Sequence, residues 1–389
     1  MFKILTLNKI SPSGLDNFDT KQYTYGADMN DPDAVMVRSA SMHEYEMPDG
    51  LLAIARAGAG VNNIPVEACS EKGIVVFNTP GANANAVKEL VLCGLILSSR
   101  KIVPGIDWCK TLKGQGGEVG KLVEKGKGAF TGPEIMGKKL GVIGLGAIGI
   151  LTANAALALG MEVYGYDPYL SVDSAWSLSQ DIIHARSMKE IFANCDYITV
   201  HVPLNNETKH MVNAESIAAM KDGVRILNFA RGELVNDEDM IAALCAGKVA
   251  AYVTDFPSDE VIGAEGVIAI PHLGASTPES EDNCARMAAL QLVDFLEAGN
   301  IQNSVNLPDV QLPRTSGVRL CVIHKNIPNM LTSITSAVSG EGINIENMLN
   351  KSKKDYAYTL IDTTVRSVPE SVVKIIEGID GVIRVRMII

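Results

Sequence analysis

The sequence predicts an α/β protein with a doubly wound parallel sheet and a small βαββαβ domain at the C-terminus, on three observations. From residue 139, six apolar runs alternate with helical patterns. The glycine-rich segment "GLGAIG" directly follows the first of those runs. After the proline-punctuated "NSVNLPDVQLPRTSG" at 303–317 the texture changes again, to shorter β-rich runs. At 389 residues the chain is long for one core, and domains of about 100–200 residues divide it into two or three.

The elements follow in order. In 1–99 the runs "FKILTL", "AVMVRSA", "LLAIARAG" and "IVVFNTP" lead into "AVKELVLCGLILSS", the rhythm of strand and connection in an α/β layer. Residues 100–137, rich in Lys and Gly, read as a solvated, mobile connection. The runs "LGVIG", "EVYGYD", "DYITVH", "VRILNF", "VAAYVTD" and "VIAIPH", joined by helical crossovers, predict a parallel sheet in the order 3-2-1-4-5-6. "PESEDNCARMAALQLVDFLEAG" is one long helix, and the last 72 residues, from 318, give the ferredoxin-like order β-α-β-β-α-β.

Composition excludes several classes of function. A net charge of −11 argues against a nucleic-acid partner, which needs a basic face. No apolar run approaches the roughly 18–20 residues of a membrane span. Seven scattered cysteines, with no C-x-x-C pair and no clustered histidines, predict reduced thiols, no metal site and a cytoplasmic protein. "MFKILTLNKI" has no apolar signal core, and its alternation suits a first strand. An anionic substrate then needs particular arginines and backbone amides to overcome the general repulsion.

"GLGAIG" at 144–149 fits G-x-G-x-x-G between a strand and a helix. In that setting Gly144 makes the tight turn, Gly146 lets backbone approach a pyrophosphate, and Gly149 allows close helix packing. Asp167 closes the next strand, 18 residues beyond Gly149, where its carboxylate accepts hydrogen bonds from the adenosine ribose. A 2′-phosphate would be repelled there, so the expected cofactor is NAD rather than NADP. The alternative is that Asp167-Pro168 is only a turn.

In this fold ligands lie beyond the carboxyl ends of the strands. Asp167 ends the second predicted strand, and His201, Arg231, Asp255 and His272 end the third to sixth. Oxidising a 2-hydroxy acid needs a base for the hydroxyl proton and a cation for the carboxylate. His272 suits the first because it titrates near working pH, and Arg231 supplies a fixed positive fork for the second. Glu260, five residues past Asp255, stands in a loop within reach of the histidine. The plainer alternatives are a structural histidine before glycine and a solvated acidic run, "SDE".

"VIGLGAIG", "NFARGELV", "DFPSDE" and "PHLGAST" resemble the signature segments of the D-isomer-specific 2-hydroxyacid dehydrogenases, over nearly all of the first 310 residues. The resemblance implies Arg231, Glu260 and His272 as the catalytic set. It adds Ala147, Ile148, Val202, Pro203, Phe229, Ala230 and Gly274, with His201 and Asp255, to the cofactor contacts of Gly144, Gly146, Gly149 and Asp167. It further implies a discontinuous, flavodoxin-like substrate-binding domain (1–97 and 286–312), an inserted NAD domain (98–285) and a separate C-terminal domain (318–389). "RAGAGVNNI" at 56–64 resembles the family's glycine-rich loop, whose amides near Ala59 and Gly60 hold the substrate carboxylate.

"VRLCVIHKNIPNMLTSI" with "GINIENM" resembles an ACT regulatory domain. Within the family this combination implies oxidation of 3-phospho-D-glycerate, the first step toward serine, by a homodimer or homotetramer. Arg38 is then the candidate for the substrate phosphate, with Arg56 beside it, and His324, Asn326 and Asn344 are the positions for a serine effector. There are departures: Ala147 stands where many members carry arginine, Asn329 where many ACT domains have glycine, and Pro257 in a segment usually without proline. A broader reductase of glyoxylate, hydroxypyruvate or 2-oxoglutarate, and a dinucleotide- or amino-acid-sensing protein, are the alternative readings.

Overall fold

The computed structural model describes all 389 residues, Met1–Ile389. They fall into two compact units, Met1–Asn83 with Pro278–Ile389, and Ala84–Thr277.

The first unit contains a five-stranded parallel sheet. In spatial order its strands are Tyr23–Gly26, Phe2–Leu7, Ala34–Val37, Ala53–Arg56 and Val75–Phe77. By chain order this is 2-1-3-4-5, the flavodoxin-like winding. The edge strand Tyr23–Gly26 is one that the sequence pattern had not marked. Helix Pro278–Ala298 crosses this sheet and buries Cys284, Ala285, Ala288, Leu292 and Phe295 against it. Gly14 is what lets the helix come so close, since a β-carbon there would lie 2.6 Å from the backbone of Ala285.

Residues 318–389 belong to the same unit. Their antiparallel sheet has the order Ile345–Lys353, Tyr356–Thr363, Arg319–Lys325, Val382–Ile388, with helices Met330–Gly340 and Glu370–Glu377. Side chains alternate along each strand. Leu320, Val322 and Ile361 meet Met330, Ile334, Val372 and Ile376 of the helices. Cys321, Ile323, Tyr358 and Leu360 point the other way and join the core that holds Phe77, Phe295 and Leu307.

Polar groups close this junction. Tyr358 donates to the Gly299 carbonyl at 2.7 Å, Lys353 to that of Ser304 at 2.8 Å, and Arg384 to those of Leu51 and Asp49. Arg319, with no exposed side-chain surface, forks onto Asp362 at 2.6 and 2.8 Å and gives its remaining hydrogens to the carbonyls of Ala298, Leu312 and Pro313. A buried guanidinium is tolerated because every donor is used. Asn329 begins helix Met330–Gly340 at φ 67°, a left-handed conformation that asparagine adopts more readily than most residues, so the turn forms without a glycine.

The second unit is a seven-stranded parallel sheet in the order Val267–Ala269, Val249–Thr254, Val224–Asn228, Tyr197–Val200, Lys139–Ile143, Glu162–Tyr166, Ile183–His184. The expected six strands gain a seventh, Ile183–His184, too short to show a period. His201 therefore ends the fourth strand, on the other side of the first strand from Asp167, a correction to the order read from sequence. Helix Ala84–Ser99 packs on Val224–Asn228, Val249–Thr254 and helix Ala147–Ala158. That packing accompanies its place in this unit, and helix Pro278–Ala298 lies wholly in the first.

Residues 100–137 are largely helical, not an irregular connection. Ile102–Thr111 and Val119–Gly126 form helices, with Trp108 against Phe130 at 5.2 Å. Neither helix buries a residue, and although Val119, Leu122 and Val123 recur at helical spacing, the surrounding Lys and Gly read as a connection. No helix in the chain is long and apolar enough to cross a membrane.

Candidate active site

In the second unit the candidate residues gather at the carboxyl ends of the strands. Gly144 has φ +92°, and a β-carbon on it would lie 2.6 Å from the carbonyl oxygen of His201. Gly149 is tighter still, with 1.9 Å to the carbonyl oxygen of Gly144. Gly146 is the opposite case: it caps helix Ala147–Ala158, and nothing lies within 4 Å of where its β-carbon would be. Two glycines thus close the turn, and the middle one leaves open space at a helix N-terminus where a phosphate binds favourably. Ala147 and Ile148 form the first helical positions. Asp167 accepts from the amides of Leu145 and Tyr169, both at 2.8 Å, so it also braces the glycine loop.

His201, Arg231, Asp255 and His272 follow four neighbouring strands in spatial order. His201 shares Nε2 with the Thr199 hydroxyl at 3.0 Å, while its Nδ1 is buried with no partner. Burial depresses its pKa to about 4, keeping the ring neutral. Val202, next to it, lines the Gly144 turn, and the Pro203 carbonyl accepts from Thr208 at 2.6 Å.

At the next strand end, buried Asn228 organises the turn that presents Phe229, Ala230 and Arg231. Its Nδ2 donates to the Arg231 carbonyl at 2.8 Å, and its Oδ1 accepts from Ala230 at 3.1 Å. The Arg231 guanidinium is exposed and gives one hydrogen to the Ala230 carbonyl at 2.6 Å. Sequence reasoning passed over Asn228, although a carboxamide ending the apolar run "VRIL" was a visible signal.

Asp255 has no exposed surface. Its Oδ2 accepts from Gly274 at 3.2 Å and its Oδ1 has no partner. Burial raises its pKa, and the charges of His272 and Arg231 pull it back. The ring of His272 packs on Phe256 at 4.6 Å. Glu260 lines the same recess as His272 and Phe256, but the two side chains are not hydrogen-bonded. The Glu260 carboxylate is exposed, and its own backbone amide, with Ser258 nearby, lowers its pKa. Ser258 in turn is held by Asp237 at 2.7 Å. The carboxylate electrostatically tied to His272 here is Asp255.

In the first unit the residues expected to bind substrate stand at the carboxyl ends of its own sheet. Arg38 ends one strand, and Nη2 pairs with Glu281 at 2.6 Å. The Arg38 carbonyl accepts from Arg56 Nε at 3.1 Å, which sets two guanidinium-bearing residues side by side. The loop through Ala59 and Gly60 is fixed at its start. The Gly58 carbonyl accepts from Thr79 at 3.1 Å and that of Ala59 from Asn78 at 2.7 Å. In the C-terminal sheet His324 is 2% exposed, with one ring nitrogen on the Lys325 carbonyl and the other on the Thr359 hydroxyl. It has no ring nitrogen to offer an effector, so of the three expected positions only Asn326 and Asn344 are exposed.

The unpartnered Asp255 Oδ1 and His201 Nδ1, together with the open space at Gly146, fit a dinucleotide lying across these strand ends. Residues 95–274 match the D-isomer specific 2-hydroxyacid dehydrogenase NAD binding domain, and NAD is the cofactor. D-3-phosphoglycerate dehydrogenase of Methanocaldococcus jannaschii is 36% identical over 291 residues, 72% of this chain and 53% of that protein. The Escherichia coli protein of the same name is 31% identical over 350 residues, 87% of this chain and 82% of that one. The chain spans about half the length of the first of these relatives. Among solved structures, NAD-bound 3-phosphoglycerate dehydrogenase of Entamoeba histolytica superposes with a TM-score of 0.61 at 27% identity, covering 78% of this chain and 98% of that one. Apo D-mandelate dehydrogenase of Rhodotorula graminis gives 0.67 at 23% identity over 80% and 99%, a likeness of fold alone. The chain belongs to the D-isomer specific 2-hydroxyacid dehydrogenase family.

Proposed function

We propose that the protein catalyses NAD-dependent oxidation of 3-phospho-D-glycerate to 3-phosphooxypyruvate. The observation that carries this reading is the pair of cationic residues at the carboxyl ends of two neighbouring strands, Arg38 and Arg56, in a chain of net charge −11 that resembles named phosphoglycerate dehydrogenases over most of its length. A substrate with both a carboxylate and a phosphate calls for such a pair in addition to Arg231.

In this reading Arg231 holds the substrate carboxylate and the developing carbonyl oxygen, and Asn228 fixes the turn that presents it. His272 takes the hydroxyl proton, and the resulting imidazolium is stabilised by the negative charge of Asp255. Glu260 is assigned the remaining place in the catalytic set from the motif it occupies and the recess it shares with His272. The backbone amides near Ala59 and Gly60 bind the carboxylate, and Arg38 the phosphate. The glycine loop, Asp167, His201 and Asp255 hold NAD, which supplies the hydride acceptor. The first unit's parallel sheet is the substrate-binding domain and residues 318–389 a regulatory domain. Asn326 and Asn344 are the positions for a serine effector, and the assembly is a homodimer or homotetramer.

The test is NADH formation by the purified protein with 3-phosphoglycerate, D-lactate and D-2-hydroxyglutarate at equal concentration. Clear preference for the phosphorylated acid is expected. Preference for either unphosphorylated acid would overturn the substrate while leaving the cofactor in place.

A further inference from the structure

We infer that Glu281 is a resident counter-ion for Arg38 and sets how tightly the protein takes a substrate carrying a second anionic group, an inference that rests on Arg38 as the phosphate-binding residue. The Glu281 Oε1 to Arg38 Nη2 separation is 2.6 Å, and the two side chains are 43% and 41% exposed. Both termini of the pair are positioned by backbone. Arg38 follows strand Ala34–Val37, and the amides of Ser39 and Ala40 beyond it are held by Asn8 Oδ1 at 3.1 and 2.7 Å. Glu281 lies in the first turn of helix Pro278–Ala298, where the next residue, Asp282, accepts from the hydroxyl of Ser11. The meeting of the two charges is therefore set by the fold.

The formal charges explain why this matters. Glu281 neutralises the formal charge of Arg38, so a phosphate dianion meets a guanidinium that already holds an anion. An incoming dianion must displace Glu281 from the guanidinium or accept its repulsion. Either lowers affinity for the phosphorylated acid, and the effect is screened by salt because the pair is exposed. A carboxylate near a helix N-terminus also favours the helix dipole, and Glu279 is placed to do the same. That second role acts on stability, whereas the counter-ion role acts on substrate affinity, so measurement separates them.

The experiment compares the wild-type chain with Glu281→Gln, which keeps the shape, and Glu281→Ala. The dissociation constant of 3-phosphoglycerate is read by calorimetry, and kcat/KM for 3-phosphoglycerate and D-lactate at low and high salt. Thermal unfolding of each variant checks the fold. In both variants binding of 3-phosphoglycerate is expected to tighten about three- to tenfold, the size of an exposed ion pair plus a relieved repulsion. The ratio of kcat/KM for 3-phosphoglycerate over D-lactate rises in proportion, and the gain shrinks at high salt. Unchanged or weaker binding in both variants overturns the inference and makes Glu281 a support for Arg38 or for the helix. If wild-type protein prefers D-lactate and Arg38→Ala does not alter that preference, the substrate reading falls too.

Discussion

Asn228 Nδ2 reaches the Arg231 carbonyl oxygen at 2.8 Å, joining a fully buried carboxamide to the backbone of an exposed guanidinium residue. Because the bracket also takes the Ala230 amide, its removal frees the whole turn rather than one contact. Asn228→Ala is expected to lower kcat/KM by roughly 10–100-fold, as a misplacement of about 1 Å does. Losing two half-buried hydrogen bonds should also cost about 1–2 kcal/mol of stability. Kinetics and denaturant unfolding on the same preparation check both, and wild-type kinetics would show that Arg231 needs no such support.

His272 carries the proton in the proposed chemistry and packs on Phe256 rather than on a hydrogen-bonded carboxylate. His272→Ala is expected to lower kcat by about 10²–10⁴-fold with a smaller change in KM, since general-base catalysis acts in the transition state. Steady-state kinetics at saturating NAD checks this. A kcat within twofold of wild type would remove His272 from its role.

His201 gives the protein an acid-side weakness. Its folded pKa is depressed by burial to about 4 against an ordinary 6.5, so below 6.5 the unfolded chain binds a proton that the folded chain refuses. This contribution to stability is present in full above pH 6.5 and is lost as pH falls toward 4. Replacement by glutamine should flatten the fall of Tm across that window. Parallel curves for the two proteins would place the titration elsewhere.

The fourth expectation concerns Arg319 and Asp362. Breaking a buried pair from one side leaves an uncompensated charge, so Asp362→Ala should cost about 3–5 kcal/mol. Replacing both by apolar residues of similar size should cost much less. Chemical unfolding followed by fluorescence compares the single and double variants, and equal losses would show that the carbonyls around Arg319 matter more than the ion pair.

Much of the second unit was legible because each strand of its core ends in a residue out of character with the apolar run before it. "VRILNFARG" and "VAAYVTD" mark their own ends. Ile183–His184 was not legible, since two residues carry no period, and the strand that His201 ends was miscounted as a result. The helices within 100–137 were missed because their many Lys and Gly residues masked the apolar spacing of Val119, Leu122 and Val123, and neither helix has a fully buried residue. The separation of Glu260 from His272, and the pairing of Arg38 with a residue 243 positions away, depend on loop and helix placement that local pattern does not encode. The C-terminal sheet did leave a trace. Within "VRLCVIH" the four residues "LCVI" form an unbroken apolar run, which signals a strand covered on both faces, whereas a sheet wetted on one side alternates.

That doubly covered sheet limits how the chain can be rearranged. A module that can be cut away or grafted onto another enzyme must bring a surface of its own suited to water. Residues 318–389 instead turn Cys321, Ile323, Tyr358 and Leu360 into a core they share with helix Pro278–Ala298, and their buried arginine is satisfied by the carbonyls of Ala298 at that helix's end and of Leu312 and Pro313 in the segment that looks like a tether. Excision near residue 317 would leave two incomplete proteins, each exposing apolar surface to aggregation. In this chain, acquisition or loss of the C-terminal domain requires repair of the opposing surface as well.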